Sequence, residues 1–178
     1  MVKIQNVVLN ILKDYGINKA PVSIEEIIRS QGINLKKTDL GNEISGILLI
    51  EDGKVTIGVN KTESPYRQRF SMAHELGHFN LHCDQKDLEN KMFVDKTNLK
   101  VMYRKANFSQ RELRREREAN SFAASILMPT HLIESALDNL LASNPFVADE
   151  EIIERLAEDF EVSEISMGYR LSNLGHIN

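Results

Sequence analysis

The sequence predicts an α+β fold. It comprises a small antiparallel sheet packed beside a histidine-bearing helix, a second long helix facing it, and a helical C-terminus. The observations behind this are apolar residues at helical spacing near both ends, alternating apolar runs on either side of an Asp-Gly pair, and long helical stretches that open on capping signals.

Taken in order, a first helix is expected from Val2 to Tyr15, with Ile4, Val7, Val8, Ile11 and Leu12 on one stripe and Gly16 ending it. Pro21 and Ser23 open a second helix through Arg29. Ser23 and Glu26 have the spacing of a capping box, and Gly32 closes the helix. A strand near Ile33 to Lys36 follows. Two more, Ile44 to Ile50 and Lys54 to Val59, flank Glu51-Asp52-Gly53 as a hairpin. Ser64 reads as an N-cap with Pro65 in the first helical position. That helix runs to about His82, with Tyr66, Phe70, Ala73, Gly77 and Leu81 as its inward stripe. Residues 83–108 show no clear period, although Lys91 to Asp95 reads as a strand and Lys100, Arg104 and Lys105 form a basic patch. Ser109 and Glu112 form a second capping box, starting a helix to Met128. Pro129 starts another to about Leu141, and shorter helices near Glu150 to Phe160 and Ser163 to Leu174 close the chain. We divide it into a main domain, 1–148, and a helical extension, 149–178, expected to pack on it.

Composition narrows the function. The 178 residues are 42% hydrophobic and 27% charged, a globular mix. With 22 basic and 26 acidic side chains the net charge is −4, which argues against bulk attraction to nucleic acid. A single cysteine excludes an intramolecular disulfide and any Cys-x-x-Cys site. No apolar run approaches the ~20 residues of a membrane span, and the N-terminus lacks a signal-peptide core. A cytoplasmic protein with no membrane partner is the expectation. Oligomeric state is not legible.

The chemistry centres on His74-Glu75-Leu76-Gly77-His78, an HExxH pattern. Four residues turn a helix by about 400° and advance it about 6 Å, so the two imidazoles share a face and can meet one ion. Zinc suits such donors, and catalytic zinc keeps a position open for water. Glu75 stands where a carboxylate can take that water's proton. Gly77 costs about 1 kcal/mol against alanine in mid-helix, which makes sense where another helix passes close.

A third ligand is required. His82 and Cys83 are nearest in sequence. However, His74, His78 and His82 together span about 12 Å of helix, too far for one tetrahedral ion. His82 is therefore read as lying around the ligands or on the substrate side, and Cys83 as an inert small side chain. On the helix from Ser109, Leu113, Ala119, Phe122, Ala123, Ala124, Ile126 and Leu127 fill one arc, with Glu116 and Asn120 inside it. Glu118, Arg114, Ser121 and Ser125 fall outside. A carboxylate aimed at a core must be paired, neutralised or metal-bound, so Glu116 is the expected third ligand. The competing assignment pairs it with an arginine such as Arg69. Asn120 shares the face of Glu116 and can hold a ligand imidazole by a hydrogen bond.

Together these stretches resemble the ImmA/IrrE family of zinc metallopeptidases. The resemblance rests on Ala20-Pro21-Val22, on Arg67 through His78 with Leu81-His82, on Glu116 through Ala124, and on Leu127-Met128-Pro129, about residues 20 to 135. It implies a gluzincin-like fold, zinc on His74, His78 and Glu116, Glu75 as the catalytic carboxylate, and cleavage of helix-turn-helix repressors. Candidates for stabilising the oxyanion are Tyr66, Tyr103, His82 and Arg69. Lys54 to Val59 is the expected edge strand against which substrate extends.

The run Leu156 to Ser163 followed by Arg170-Leu171 looks like half a helix-turn-helix. From Asp149 onward, though, there are 8 acidic and 2 basic residues, which would repel phosphate. The arginines 111, 114, 115 and 117 interleave with glutamates, as on a solvated helix face. The leading expectation is a zinc endopeptidase acting on a regulatory protein. The alternatives are a non-catalytic regulatory binding module with a structural or vestigial metal site and, less favoured by charge, a DNA-binding regulator.

Overall fold

The computed structural model describes residues 2–83, 90–96 and 109–177. Among these the fold is α+β, as expected. The order is α1 (Val2–Asp14), α2 (Ile24–Ser30), β1 (Asn34–Thr38), β2 (Ile44–Glu51), β3 (Lys54–Asn60), α3 (Pro65–His82), β4 (Lys91–Lys96), α4 (Gln110–Leu127), α5 (Thr130–Ser143), α6 (Asp149–Phe160) and α7 (Glu164–Leu174). Arg104, Lys100, Lys105 and Tyr103 lie outside the described residues.

The sheet order is β1-β3-β2-β4. Strands β2 and β3 pair antiparallel across a two-residue turn in which Asp52 (φ 48°) and Gly53 (φ 72°) are both left-handed, matching the twist of the hairpin. β4 adds antiparallel to β2, and β1 adds parallel to β3. The sheet is thus mixed, with its parallel pair at one edge. This corrects one expectation: β3 is flanked on both sides and offers no free edge. Alternation could not reveal this, because β1 is mostly exposed and carries two lysines.

The inner face of the hairpin contributes Leu48, Ile50, Val55, Ile57 and Val59 to one core, shared with α1, α2, α3 and α4. α3 lies between the sheet and α4, so every residue from Ser71 to Phe79 is buried. A single inward stripe therefore fails to describe it. Tyr66, expected on that stripe, is 44% exposed because it precedes the sandwiched stretch. Ser64 caps α3 by accepting from the Arg67 amide, and Ser109 and Glu112 complete their capping box. Ser23 does not cap α2 with its hydroxyl; at ψ 71° its backbone is outside the extended cap geometry. Ser125 of α4, expected outward, is buried.

Arg69 ties the C-terminal helices to this body. Its Nε donates to the Glu161 carbonyl at 3.1 Å and its Nη2 to the Val22 carbonyl at 3.1 Å, with the Glu161 carboxylate 3.3 Å away. Arg170 of α7 donates to the Met128 carbonyl at 3.0 Å and to Thr130 Oγ1 at 3.3 Å. Among the described residues, no helix is long and apolar enough to cross a membrane.

Candidate metal centre

The centre forms where α3 and α4 cross. A Cβ built on Gly77 would lie 3.0 Å from Phe122 Cδ1, so the absence of a side chain there is what lets α4 come this close. Gly77→Ala should gain about 1 kcal/mol of helix propensity. It should lose about 1–3 kcal/mol to overpacking against a fully buried ring. A net loss near 1 kcal/mol in urea unfolding is the expected result, and a stabilised variant would contradict this packing.

The crossing brings Glu116 of α4 over the two histidines of α3. His74 Nε2 and His78 Nε2 are 3.0 Å apart. Glu116 Oε2 lies 3.3 Å from the first and Oε1 lies 3.2 Å from the second. The three side chains form a group able to hold a metal ion, and they are buried, buried and partly buried. Ligand atoms about 2.0–2.1 Å from a tetrahedral zinc sit about 3.3 Å from one another, close to all these separations. Asn120 Oδ1 accepts from His74 Nδ1 at 3.0 Å. An amide oxygen only accepts, so Nδ1 carries a proton, and a neutral ring in that tautomer would offer its Nε2 lone pair to a metal. Lone pairs converging this closely call for a cation, and the donor set fits zinc.

Electrostatics agree. Burial works to raise Glu116, but the hydrogen bonds from His74 and His78 and their charges overcome it and hold the carboxyl at about 2. Burial also works to lower His74, yet the bond to Glu116 and the negative charges of Glu75, Asp95 and Glu116 leave it raised. In His78 burial wins, aided by the His74 charge, and the ring is lowered.

Glu75 is fully buried, and neither of its oxygens has a hydrogen-bond partner among the described residues. Burial pushes it up to about 8. The His74 charge opposes this, the charges of Asp95 and Glu116 add to it, and the backbone amide of Asp95 opposes it least. A carboxyl left unpartnered in a core is costly, and such groups cluster at sites of chemistry.

The remaining expected residues are placed as follows. Arg69 is engaged by Val22 and Glu161, leaving Glu116 to the histidines. His82 donates from Nε2 to the Arg115 carbonyl at 3.2 Å, a tie between α3 and α4. Glu118 pairs with Arg114 at 2.8 Å. Cys83 is a free, half-buried thiol at the end of α3, raised by burial.

Sequence reading missed three residues. Phe93 of β4 stacks on the His78 ring with centroids 4.7 Å apart. Asp95, two residues along the same strand, accepts from Arg67 and Ser71. Gly46 of β2 is the close neighbour of Glu75. A glycine inside an aliphatic strand signals a close approach, and the two-residue spacing of Phe93 and Asp95 signals one face.

Residues 28–172 match the peptidase family described as the IrrE N-terminal-like domain. The chain belongs to that family. It is also 27% identical over 172 residues to the metallopeptidase ImmA of Bacillus subtilis (strain 168), an alignment covering 97% of this chain and 86% of that protein. In fold it is similar to a Mycobacterium tuberculosis transcriptional regulator, with a TM-score of 0.61 and 18% identity over 97% of this chain. The chain spans 47% of that longer protein. Membership of this peptidase family implies a metal, and the His74, His78 and Glu116 cluster is compatible with one.

Proposed function

We propose that this protein is a cytoplasmic zinc endopeptidase that cleaves a regulatory protein, a helix-turn-helix repressor. The observation that carries the reading is the pairing of a three-ligand cluster with an unpartnered buried carboxyl one residue from its first histidine. Zinc, when bound, polarises the scissile carbonyl and acidifies the attacking water. Glu75 takes the water's proton and delivers it to the leaving amine, a task suited to a carboxyl raised toward neutrality. Asn120 keeps His74 in the tautomer that offers Nε2. Among the described residues β4, rather than β3, has an open edge beside this centre, and it can accept an extended substrate by strand addition. Burial of Glu75 and of the histidines excludes competing water.

The test is to incubate the zinc-loaded protein with purified helix-turn-helix repressors encoded beside its gene. One should be cut at a single site, and a chelator should stop the cutting. Intact repressors bound tightly by the zinc-loaded protein would favour the binding-module reading and overturn this one.

A further inference from the structure

Beside Glu75, a second buried polar group links three elements. β2 carries a bulge: Ile44 faces Lys96 and Gly46 faces Asp95, so Ser45 is an extra residue. Its hydroxyl donates to Glu63 Oε1 at 2.7 Å and accepts from Arg67 Nε at 3.3 Å and Nη2 at 3.0 Å. Arg67 Nη2 also donates to Asp95 Oδ2 at 3.1 Å, and the Ser71 hydroxyl donates to the same oxygen at 3.2 Å. Ser45, Ser71 and Asp95 are buried. Arg67 thus joins α3, the bulge and β4 through one planar fork, which a lysine could not reproduce.

The bulge places Gly46 against the catalytic candidate. A Cβ at Gly46 would stand 3.1 Å from Glu75 Oε1, 3.2 Å from Glu75 Cγ and 3.3 Å from Ser71 Cβ. Among the described residues no side-chain hydrogen bond holds the Glu75 rotamer, so the backbone of Gly46 is the wall that aims it. Ser71 lies one turn before Glu75 on the same face of α3 and is itself bonded to Asp95.

We propose that Arg67 and Asp95 are positioning residues: by locking the Ser45 bulge and β4 onto α3, they seat Gly46 behind Glu75 and fix the direction of its carboxyl. The inference rests on the proposed role of Glu75. Neither Arg67 nor Asp95 belongs to the ligand cluster, which Asp95 reaches through its charge on His74 and His78. Displacement of a reacting group by about 1 Å can cost about a hundredfold in rate.

The test uses zinc affinity and acetohydroxamic acid, a probe that chelates zinc through its two oxygens and hydrogen-bonds to a neighbouring carboxylate. Arg67→Met and Asp95→Asn should lose only a few fold in zinc affinity, Asp95→Asn the more because its charge reaches His74 and His78, and both should bind acetohydroxamate at least about tenfold more weakly than wild type, approaching Glu75→Gln. Ser45→Ala, which removes one hydroxyl and threatens folding least, should show a smaller loss of the same kind. Crystals of metal-free Asp95→Asn should show the Glu75 carboxyl moved off Gly46. Equal loss of zinc and probe affinity marks general loosening and overturns the proposal, as does an unmoved Glu75 in those crystals. Unchanged probe binding by Glu75→Gln, or none by zinc-loaded wild type, overturns the proposed function instead. The position of Glu75 in the crystals then still decides the positioning role.

Discussion

Glu116→Ala is expected to strip the metal centre, whereas Glu118→Ala, two residues along the same helix, should leave it loaded. Binding at a closed zinc site amounts to about 10–16 kcal/mol, so one protein ligand of three carries on the order of 4 kcal/mol, about a thousandfold in affinity. Glu116 also supplies the charge that two buried imidazoles face at 3.2–3.3 Å, and an alanine would leave them opposed to one another. Glu118 is one-third exposed and bound to Arg114 and so contributes little to the site or the fold. Zinc content by mass spectrometry after dialysis against a weak chelator checks the pair. Equal loss in both variants would sink the assignment. The metal-free Glu116→Ala variant carries a further sign. The Glu116 carboxyl is depressed in the fold, so its contribution to stability is present above the ordinary carboxylate range and is lost as pH falls toward about 2. Deleting it should therefore flatten the acid side of the stability curve.

What could be read beforehand followed the reach of local rules. The turn at Asp52-Gly53, the caps at Ser64 and Ser109, and the shared face of His74 and His78 are set by residues within four positions of each other. Glu116 was legible because a carboxylate inside an apolar arc conflicts with burial, and such a conflict has few resolutions. The misses involve partners distant in sequence. Tyr66 fell on the wrong side because helical periodicity assumes one buried face, while α3 is enclosed by the sheet and α4 together. The sequence makes β3 look like an edge because a charged, exposed β1 gives no alternation to announce it. Arg67 and Asp95 are 28 residues apart and meet only through a one-residue bulge, which leaves no periodic trace. Arg69, a plausible partner for Glu116 by charge alone, is instead taken up by two carbonyls from Val22 and Glu161.

Glu75→Gln should separate chemistry from stability more sharply than any other single change. The amide is nearly isosteric, touches none of the three ligands' metal-facing atoms, and should leave zinc content at wild-type level. Cleavage should fall by about 10²–10⁴-fold, the usual contribution of a positioned general base. Stability should move the other way. The Glu75 carboxyl is raised to about 8 in the metal-free fold, so the folded state holds its proton while the unfolded chain ionises near the ordinary value. Stability is then lost progressively from about pH 4.5 to about pH 8, on the order of a few kcal/mol over that window. An amide cannot ionise and escapes that loss. The melting temperature of metal-free Glu75→Gln should therefore match wild type near pH 4 and exceed it increasingly toward pH 8. A residue kept for packing or folding would show the reverse: a destabilised variant with its remaining activity in proportion to the folded fraction. A variant that is more stable, fully metallated and inactive is the signature of a group retained at a cost to the fold because the reaction needs it. Full cleavage by Glu75→Gln at neutral pH would remove this carboxyl from the mechanism.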